Sequence, residues 1–263
     1  MLYRPAPGSS FRLGGQDPNH ADRFLIEKNI TARARIEGPL RYWNTVAYDL
    51  AYSSGGTGRT TRLHVYASGG RQSFTWRDQR GYLSSPADVR NQELTAYVRV
   101  HDLFDPSRAA VSLKVRGGAH SASYPDLASC VMLTFASGAT GAVTRFGKEL
   151  EHPSYDYVTL QPRFPAALAD GRWVGLKLAS YASPSEPMQV VNRLYLDVEP
   201  FDAAGKPANR WQLFSEFVDV EGKSTGRYSK LVDWGGWQTT IRTDGIAELD
   251  FAIVSVREIA PPS

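Results

Sequence analysis

Side chains that could bind a carboxylate and transfer protons are concentrated between positions 90 and 157. β-Elimination from a uronic-acid sugar needs a group that neutralises the sugar carboxylate, a base that removes the proton beside it and an acid that protonates the leaving oxygen. A guanidinium or an amide suits the first task, and histidine or tyrosine suits the other two. The residues predicted for these roles are Arg116 and Asn91 for the carboxylate, His120 as base and Tyr155 as acid.

Further polar side chains in the same segment and in one later strand could contact a sugar chain. Glu93 is expected to orient Arg116, and the lysines are expected to bind other parts of the polymer. The predicted substrate-binding residues are Glu93, Tyr97, Arg99, Lys148, Glu149, Lys177 and Tyr181. The hypothesis requires all of them to share one hollow, whereas an ordinary solvated sheet face would explain the same pattern.

Alternating polar and apolar residues predict that these side chains stand on β-strands. In 91–100, Leu94 and Val98 point one way, and Glu93 and Tyr97 point the other way. In 111–120, the valines and leucine alternate in the same manner with serine, lysine and arginine. Because side chains alternate across a strand, this pattern predicts a sheet with one apolar and one polar face.

Two other segments place ionisable residues on one strand face. The segment 61–66 alternates so that Arg62, His64 and Tyr66 point the same way, although the sequence does not say to which side. Arg242 and Asp244 are two residues apart and predict a salt bridge at a strand end.

The fold class follows from the many alternating segments and the turn signals between them. Short strands at regular spacing with almost no helical pattern are typical of an all-β protein. We therefore predict a β-sandwich or jelly roll of antiparallel sheets with a concave polar face. A single domain is expected over residues 1–263, with residues 1–23, rich in Pro, Gly, Asn and Asp, as an irregular N-terminal lead-in.

Composition argues against nucleic acids and membranes as partners. The formal net charge is only +3 and charged residues make up 22% of the chain, without the dense basic runs typical of nucleic-acid binding. No segment is long and apolar enough to cross a membrane. The single cysteine, Cys130, lies in an apolar run and is predicted to be a buried thiol. We expect a monomer, and secretion is favoured by the fold although the N-terminus lacks the pattern of a signal peptide.

Three short motifs carry a resemblance to a known family. They are Arg-Asn-Gln-Glu at 90–93, Arg-Gly-Gly-Ala-His at 116–120 and Lys-Glu-Leu-Glu-His-Pro-Ser-Tyr at 148–155. Their layout resembles the jelly-roll alginate and glucuronan lyases, which have concanavalin A-like folds. In that family a strand with Arg and Glu precedes one with an amide and a His, and a later strand carries Lys and Tyr. The Gln-x-His pair of the middle strand is absent here, so Arg116 and His120 take its place, and the tyrosine-rich C-terminal motif is also missing. The resemblance implies a polysaccharide lyase.

Two other functions remain open. A glycoside hydrolase would use two carboxylates, but the neighbouring cations would keep carboxylates ionised, and the Glu-x-Asp-x-Glu pattern of sandwich glucanases does not occur. A non-catalytic carbohydrate-binding protein would use exposed aromatic residues, for which the candidates are Trp173, Tyr181, Trp234 and Trp237. No cofactor is required for either reaction, and the histidines lack zinc spacing. The resemblance to lectin-like sandwiches allows a structural Ca²⁺ ion.

Overall fold

Two antiparallel β-sheets account for nearly all regular structure in the part of the chain that the structure describes. That part of the computed structural model comprises residues 2–51, 55–67, 89–118, 130–136, 142–151, 154–164, 170–223 and 228–262. It contains sixteen strands, one turn of 3₁₀ helix at Glu27–Asn29 and no α-helix. The prediction of an all-β sandwich of antiparallel sheets is confirmed.

The first sheet has β7 and β16 at its centre. Its strands, in spatial order, are β14 (Gln212–Val220), β13 (Gln189–Asp197), β12 (Val174–Ala182), β7 (Gln92–Leu103), β16 (Ile246–Ile259), β4 (Leu40–Val46) and β3 (Arg33–Glu37), and β1 (Pro5–Leu13) also pairs with β16. The expected irregular lead-in over residues 1–23 is therefore wrong for Pro5–Leu13. This segment forms a strand because the long strand β16 offers it a partner along residues 254–259.

The second sheet has β8 and β15 at its centre. Its strands, in spatial order, are β11 (Ser154–Phe164), β10 (Ala142–Glu151), β9 (Cys130–Ala136), β8 (Ala110–Gly117), β15 (Gln238–Asp244), β6 (Thr57–Tyr66) and β2 (Phe24–Ile26), and β5 (Tyr48–Ala51) also pairs with β6.

The apolar faces of the two sheets meet in one shared core. Leu94 and Val98 of the first sheet and Leu113, Val115 and Phe146 of the second belong to the same cluster of buried side chains. Alternation in the sequence assigns Leu94, Val98, Leu113 and Val115 to the interior, as found. Burial of a side chain of this size contributes about 1.5–3 kcal/mol, so the core supplies the main driving force that holds the sheets together.

The chain changes sheets between β7 and β8. Strand β7 pairs with β12 and β16 in the first sheet, whereas β8 pairs with β9 and β15 in the second. Both strands direct their apolar residues into the same core, so their polar residues lie on opposite sides of the sandwich. This crossing decides where each predicted site residue lies.

Candidate functional site

The structure separates the predicted site residues into three places and does not bring them together in one hollow. Glu93, Tyr97, Arg99, Lys177 and Tyr181 belong to the first sheet, with Asn91 directly before its strand β7, and Glu149 and Tyr155 belong to the outer face of the second. Arg116 and Lys148 lie in the interior. His120 lies outside the described residues. The hypothesis of a single hollow is therefore wrong, because it treated β7 and β8 as neighbours in one sheet.

Arg116 is fully buried and is not available to a substrate carboxylate. Its side chain is 0% exposed, with Nε donating to Ser180 Oγ and Nη1 donating to the Trp234 carbonyl, both at 2.9 Å. Its φ is +59°, and the register between β8 and β15 shifts beside it. A bulge of this kind re-aims a side chain. A Cβ on Gly236 would lie 2.2 Å from the Gly117 nitrogen. The segment at Gly236 can therefore approach the end of β8 this closely only because residue 236 has no side chain.

Lys148 is also an interior residue. Its Nζ donates to the Lys230 carbonyl at 2.8 Å and lies 3.2 Å from Asp219 Oδ2, and both side chains are 0% exposed. Because Asp219 belongs to β14 and Lys148 to β10, this ion pair joins the two sheets. The prediction that Lys148 binds substrate is wrong for this reason.

On the outer face of the first sheet, Glu93 is paired with two cations. Glu93 Oε1 accepts from Lys177 Nζ at 2.8 Å and from Arg257 Nε at 2.9 Å. Burial acts to raise the pKa of Glu93, but Arg257 and Lys177 outweigh burial and hold it below its usual range. Burial lowers the pKa of Lys177. Tyr97, 2% exposed, packs against Trp211 on the same face, with ring centroids 5.7 Å apart.

Arg99 is held within a polar network farther along the same sheet. Its Nη1 donates to Glu37 at 2.6 Å, and its Nη2 donates to Asp250 at 2.8 Å. Its guanidinium also lies 4.9 Å from the ring centre of Tyr42 and 4.8 Å from that of Trp173. All of these contacts are with groups of the protein itself, so we assign Arg99 a structural role in the first sheet.

The remaining two residues of the first sheet have structural contacts as well. Asn91 Oδ1 accepts from the Ala182 backbone nitrogen at 2.9 Å, which secures the start of β7 to the end of β12. Tyr181 is 2% exposed and packs against Tyr3. Neither residue is near Tyr155, which was the expected catalytic partner of Asn91, because β7 and β12 belong to the other sheet.

On the outer face of the second sheet, two cations converge on the Tyr155 hydroxyl group. Arg242 Nη1 donates to this oxygen at 2.9 Å and Lys114 Nζ at 3.4 Å. Burial raises the pKa of Tyr155, against the opposing influence of the two cations. In the described part of the chain, no acceptor lies within hydrogen-bond distance for the proton of this hydroxyl. We call Tyr155, Arg242, Lys114 and Glu149 the tyrosine cluster.

Each cation of the tyrosine cluster has its own carboxylate. Lys114 Nζ donates to Glu149 Oε2 at 2.9 Å, and Arg242 Nη2 donates to Asp244 Oδ1 at 2.9 Å. Burial opposes the charge on Lys114, but Cys130 and Glu149 raise its pKa above the usual range. Burial likewise opposes the charge on Arg242, whose pKa is raised by Asp244 and Tyr155. Both cations are therefore charged at neutral pH.

Cys130 is the buried thiol that the sequence predicts. It is 1% exposed and its Sγ lies 3.8 Å from Glu149 Oε2. Burial raises its pKa to about 12, so the thiol is protonated and unreactive at neutral pH.

A histidine occupies the other end of the same face. Arg62 and His64 do share one face, as alternation predicts, and the register places them beside Arg242 and Thr240 of β15. His64 Nδ1 lies 2.9 Å from Gln238 Nε2 and its Nε2 lies 3.7 Å from Glu27, so both ring nitrogens face protein groups. Burial lowers the pKa of His64, and the ring is therefore neutral at pH 7.

A cavity of about 240 Å³ lies beside the tyrosine cluster. Arg108, Arg145, Tyr157 and Asp244 are among its lining residues. Arg145 is exposed, and in the described residues it has no ion-pair partner. Tyr157 is 45% exposed and its ring stacks on Tyr155 with centroids 5.9 Å apart. The cavity thus offers a cation, Arg145, and the aromatic surface of Tyr157, which stacks on Tyr155.

Sequence reasoning identified Tyr155 and Glu149 of the tyrosine cluster but missed the contacts of Lys114 and Arg242 with Tyr155. The predicted salt bridge between Arg242 and Asp244 is present, but the contact of Arg242 with Tyr155 joins residues 87 positions apart. Alternation does place Lys114 on the outer side of β8, and that signal could have identified it. Three of the four proposed aromatic platforms are wrong, because Trp234, Trp237 and Tyr181 are 5% exposed or less, whereas Trp173 is half-buried.

The described residues contain neither a candidate metal-binding group nor a candidate membrane-spanning helix. In these residues, no group of three or more His, Cys, Asp or Glu side chains could hold a metal ion. The possible structural Ca²⁺ ion stays a prediction. The helices of the described part include none that is long and apolar enough to span a membrane.

Comparison with known proteins places the fold. The sequence matches no protein-family model and no curated protein. Among solved structures, an endo-β-1,4-glucuronan lyase from the fungus Trichoderma reesei is similar at a TM-score of 0.52 and 14% identity, with 95% of each chain covered. A GlcNAcα1-4Gal-releasing endo-β-galactosidase from Clostridium perfringens gives 0.50 at 9% identity, over 97% of this chain and 62% of that one. A basic winged bean lectin gives 0.44 at 11% identity, over 94% and 96%. The chain has the fold of a jelly-roll, lectin-like sandwich.

Proposed function

We propose that the protein is a polysaccharide lyase that cleaves a uronic-acid-containing polysaccharide by β-elimination on the outer face of the second sheet. The observation that carries this proposal is the Tyr155 hydroxyl, which accepts hydrogen bonds from Arg242 at 2.9 Å and Lys114 at 3.4 Å. The likeness of the fold to that of a glucuronan lyase supports a uronic-acid polymer as the substrate class.

Tyr155 is suited to act as the acid. A phenol oxygen that accepts two hydrogen bonds directs its own proton elsewhere, and here that proton is free for the leaving glycosidic oxygen. Its raised pKa keeps the phenol protonated before the reaction. As the proton leaves, the charges of Arg242 and Lys114 stabilise the phenolate that forms. The cluster therefore favours the transition state over the ground state.

In the reaction, a base takes the proton from the carbon beside the sugar carboxylate. The electron pair of that C–H bond forms a C=C bond to the next carbon, whose bond to the glycosidic oxygen breaks. Tyr155 donates its proton to this oxygen and is reprotonated from solvent. The base proposed from the sequence is His120, which lies outside the described residues and remains a proposal. His64 is a poor substitute, because both of its ring nitrogens face protein groups.

The sugar carboxylate is assigned to Arg145. It replaces the interior Arg116 and the structural Asn91 in this role, because it is exposed and lines the cavity beside Tyr157. A guanidinium can bind a carboxylate through two parallel hydrogen bonds, and neutralising that charge makes the adjacent C–H bond more acidic. Tyr157 offers a flat apolar surface for the sugar ring.

Hydrolysis by two carboxylates fits this face less well. Glu149 and Asp244 are each paired with a cation at 2.8–2.9 Å. Such pairing favours the ionised form, whereas an inverting or retaining hydrolase needs one carboxyl group protonated.

A non-catalytic carbohydrate-binding protein is the second candidate. The rings of Tyr155 and Tyr157 are stacked, and Tyr157 is 45% exposed. This aromatic surface would suit a site that only binds a sugar equally well. We also propose secretion and a monomeric state, and these rest on the fold and the composition alone.

The reaction products distinguish the three functions. The protein should be incubated with a panel of uronic-acid polysaccharides, and the ultraviolet absorbance of the unsaturated product should be followed with the number of reducing ends. We expect both to rise together. Reducing ends without absorbance would indicate hydrolysis, and tight binding with neither signal would indicate a binding protein.

The role of Tyr155 is tested by Tyr155→Phe, with Tyr157→Phe as the matched control two residues away on the same strand. Loss of the acid should reduce kcat by about 10²–10⁴-fold while oligosaccharide binding persists. Tyr157→Phe keeps the ring surface and should retain kcat. Equal turnover by the two variants would remove Tyr155 from the reaction.

A further inference from the structure

The outer face of the first sheet contains a second and larger cavity, of about 430 Å³. It lies on the opposite side of the sandwich from the tyrosine cluster and shares no residue with it. Its lining includes charged and aromatic side chains together, among them Glu93, Lys177, Arg257, Tyr97 and Trp211.

One carboxylate oxygen of Glu93, a residue that lines this cavity, is buried and has no partner in the described part of the structure. Glu93 Oε1 accepts from both Lys177 and Arg257, whereas Oε2 is buried without a hydrogen bond. The side chain is only 4% exposed. A buried oxygen left in this state costs free energy. A ligand hydroxyl group donating to Oε2 would remove that cost.

Trp211 forms a rigid apolar wall of the same cavity. A Cβ on Gly175 would lie 2.9 Å from Trp211, so the ring packs directly on the strand where β12 has no side chain. Its Nε1 donates to Asn209 Oδ1 at 3.3 Å, and Lys177 Nζ lies 4.5 Å from the ring centre. These contacts fix the indole before any ligand arrives, which lowers the entropic cost of binding.

The charges around the cavity favour an acidic ligand. Three cations, Arg12, Lys177 and Arg257, line it with one carboxylate, that of Glu93. Arg12 is exposed at the rim. The excess of positive charge would attract a carboxylate on the ligand, while Glu93 Oε2 and Trp211 select a hydroxyl group and an apolar ring face.

We propose that this cavity is a second saccharide-binding site, which holds one acidic sugar unit without cleaving it. The ring lies against Trp211, a hydroxyl group donates to Glu93 Oε2, and the acidic substituent faces Arg12. Such a site would keep a long polymer on the protein while the other face acts on it, but binding here does not depend on the proposed elimination.

The first test measures binding of a glucuronic acid tetrasaccharide by calorimetry. The Arg145→Gln protein is used, because this substitution weakens the site on the second sheet and leaves the cavity on the first sheet intact. Ser255 lines the cavity, so Ser255→Phe should fill it and abolish the remaining binding. Glu93→Gln removes one charge from the acceptor and should weaken binding about 10-fold or more. Glu186→Gln, at an exposed position, should leave affinity unchanged. A neutral glucose tetrasaccharide should bind more weakly than the acidic one.

Thermal unfolding of each variant separates loss of the site from loss of the fold. Unchanged affinity in folded Ser255→Phe and Glu93→Gln proteins would overturn the proposal. A crystal of the wild-type protein soaked with the tetrasaccharide gives a result that needs no variant. A sugar ring between Trp211 and Glu93 supports the proposal, and an empty cavity at saturating tetrasaccharide overturns it. Binding here without any turnover would contradict only the proposed elimination.

Discussion

The two outer faces of the sandwich each contain a buried lysine–glutamate pair of nearly the same length. Lys114 and Glu149 on the second sheet are 2.9 Å apart, and Lys177 and Glu93 on the first sheet are 2.8 Å apart. Sequence pattern treats the two pairs alike, since all four residues alternate with apolar positions on strands.

The surroundings of the two pairs differ. On the first sheet, one carboxylate oxygen is shared by two cations, Lys177 and Arg257. On the second sheet, Lys114 and Arg242 have separate carboxylates and converge on the hydroxyl group of Tyr155. The first arrangement leaves one carboxylate oxygen without a hydrogen bond, and the second directs two donors at one phenol oxygen. In the functions proposed above, the same residue types would serve binding on one face and proton transfer on the other.

The largest expected difference between the faces is in stability. Lys114→Met removes the ammonium donor of the buried Glu149 carboxylate and should lower the free energy of unfolding by about 3–5 kcal/mol. Lys177→Met leaves Arg257 on Glu93 and should cost about 1.5–3 kcal/mol. The pKa shifts agree with this order, because the fold favours the charge on Lys114 and burial disfavours that on Lys177.

Denaturant unfolding of both variants measures this difference. The double variant Lys114→Met with Glu149→Leu removes both charges and should recover part of the loss. Equal costs for the two single variants would show that the second cation on Glu93 does not stabilise the first sheet.

Two arginines on opposite faces allow the same comparison in activity. Arg242 lies 5.7 Å from the ring centre of Tyr155 and pairs with Asp244, and Arg193 lies 5.8 Å from that of Tyr181 and pairs with Glu216. In the proposed lyase, Arg242→Gln removes a charge that stabilises the phenolate.

We expect kcat of Arg242→Gln to fall by about 10²–10³-fold, as for loss of one donor to a developing anion. Arg193→Gln should leave kcat unchanged, because Tyr181 takes no part in the reaction. Steady-state kinetics with a uronic-acid oligosaccharide measure both. A fall in both variants, or in neither, would contradict the distinction between the faces.

The fold was predictable from the sequence because it depends on a local signal. Alternation assigned Leu94, Val98 and Leu113 to the core, and each is buried there. The N-terminal strand Pro5–Leu13 was not predictable in this way, because its partner β16 lies more than 240 positions along the chain. Strand pairing over such distances leaves no periodic trace in either segment.

The site was less predictable than the fold. Tyr155 and Glu149 were identified, but the same reasoning joined them to Arg116, which a bulge with φ of +59° turns inward. Alternation shows on which face of its strand a side chain lies. It does not show to which of the two sheets that strand belongs. The crossing from β7 to β8 therefore separated Glu93 and Tyr97 from the residues expected to be beside them.

The smallest expected effects concern acid stability, in which the two faces should differ in size and not in sign. Glu93 has a pKa held below its unfolded value, so it stabilises the folded state above about pH 4.3 and loses this contribution as pH falls through its folded pKa. The difference in unfolding free energy between wild type and Glu93→Gln should be about 1–3 kcal/mol near pH 6 and should shrink below about pH 4.

Glu27 on the second face should behave in the same direction with a smaller amplitude. Burial acts to raise its pKa, but His64, Arg62 and Tyr48 outweigh burial and lower it. Its side chain is 29% exposed, so solvent screens these contacts and Glu27→Gln should cost less than Glu93→Gln at every pH. Urea unfolding between about pH 3 and pH 7 measures both, with Glu186→Gln expected to follow wild type. A larger acid effect at Glu27 than at Glu93 would show that the second face, and not the first, has the more tightly held carboxylate.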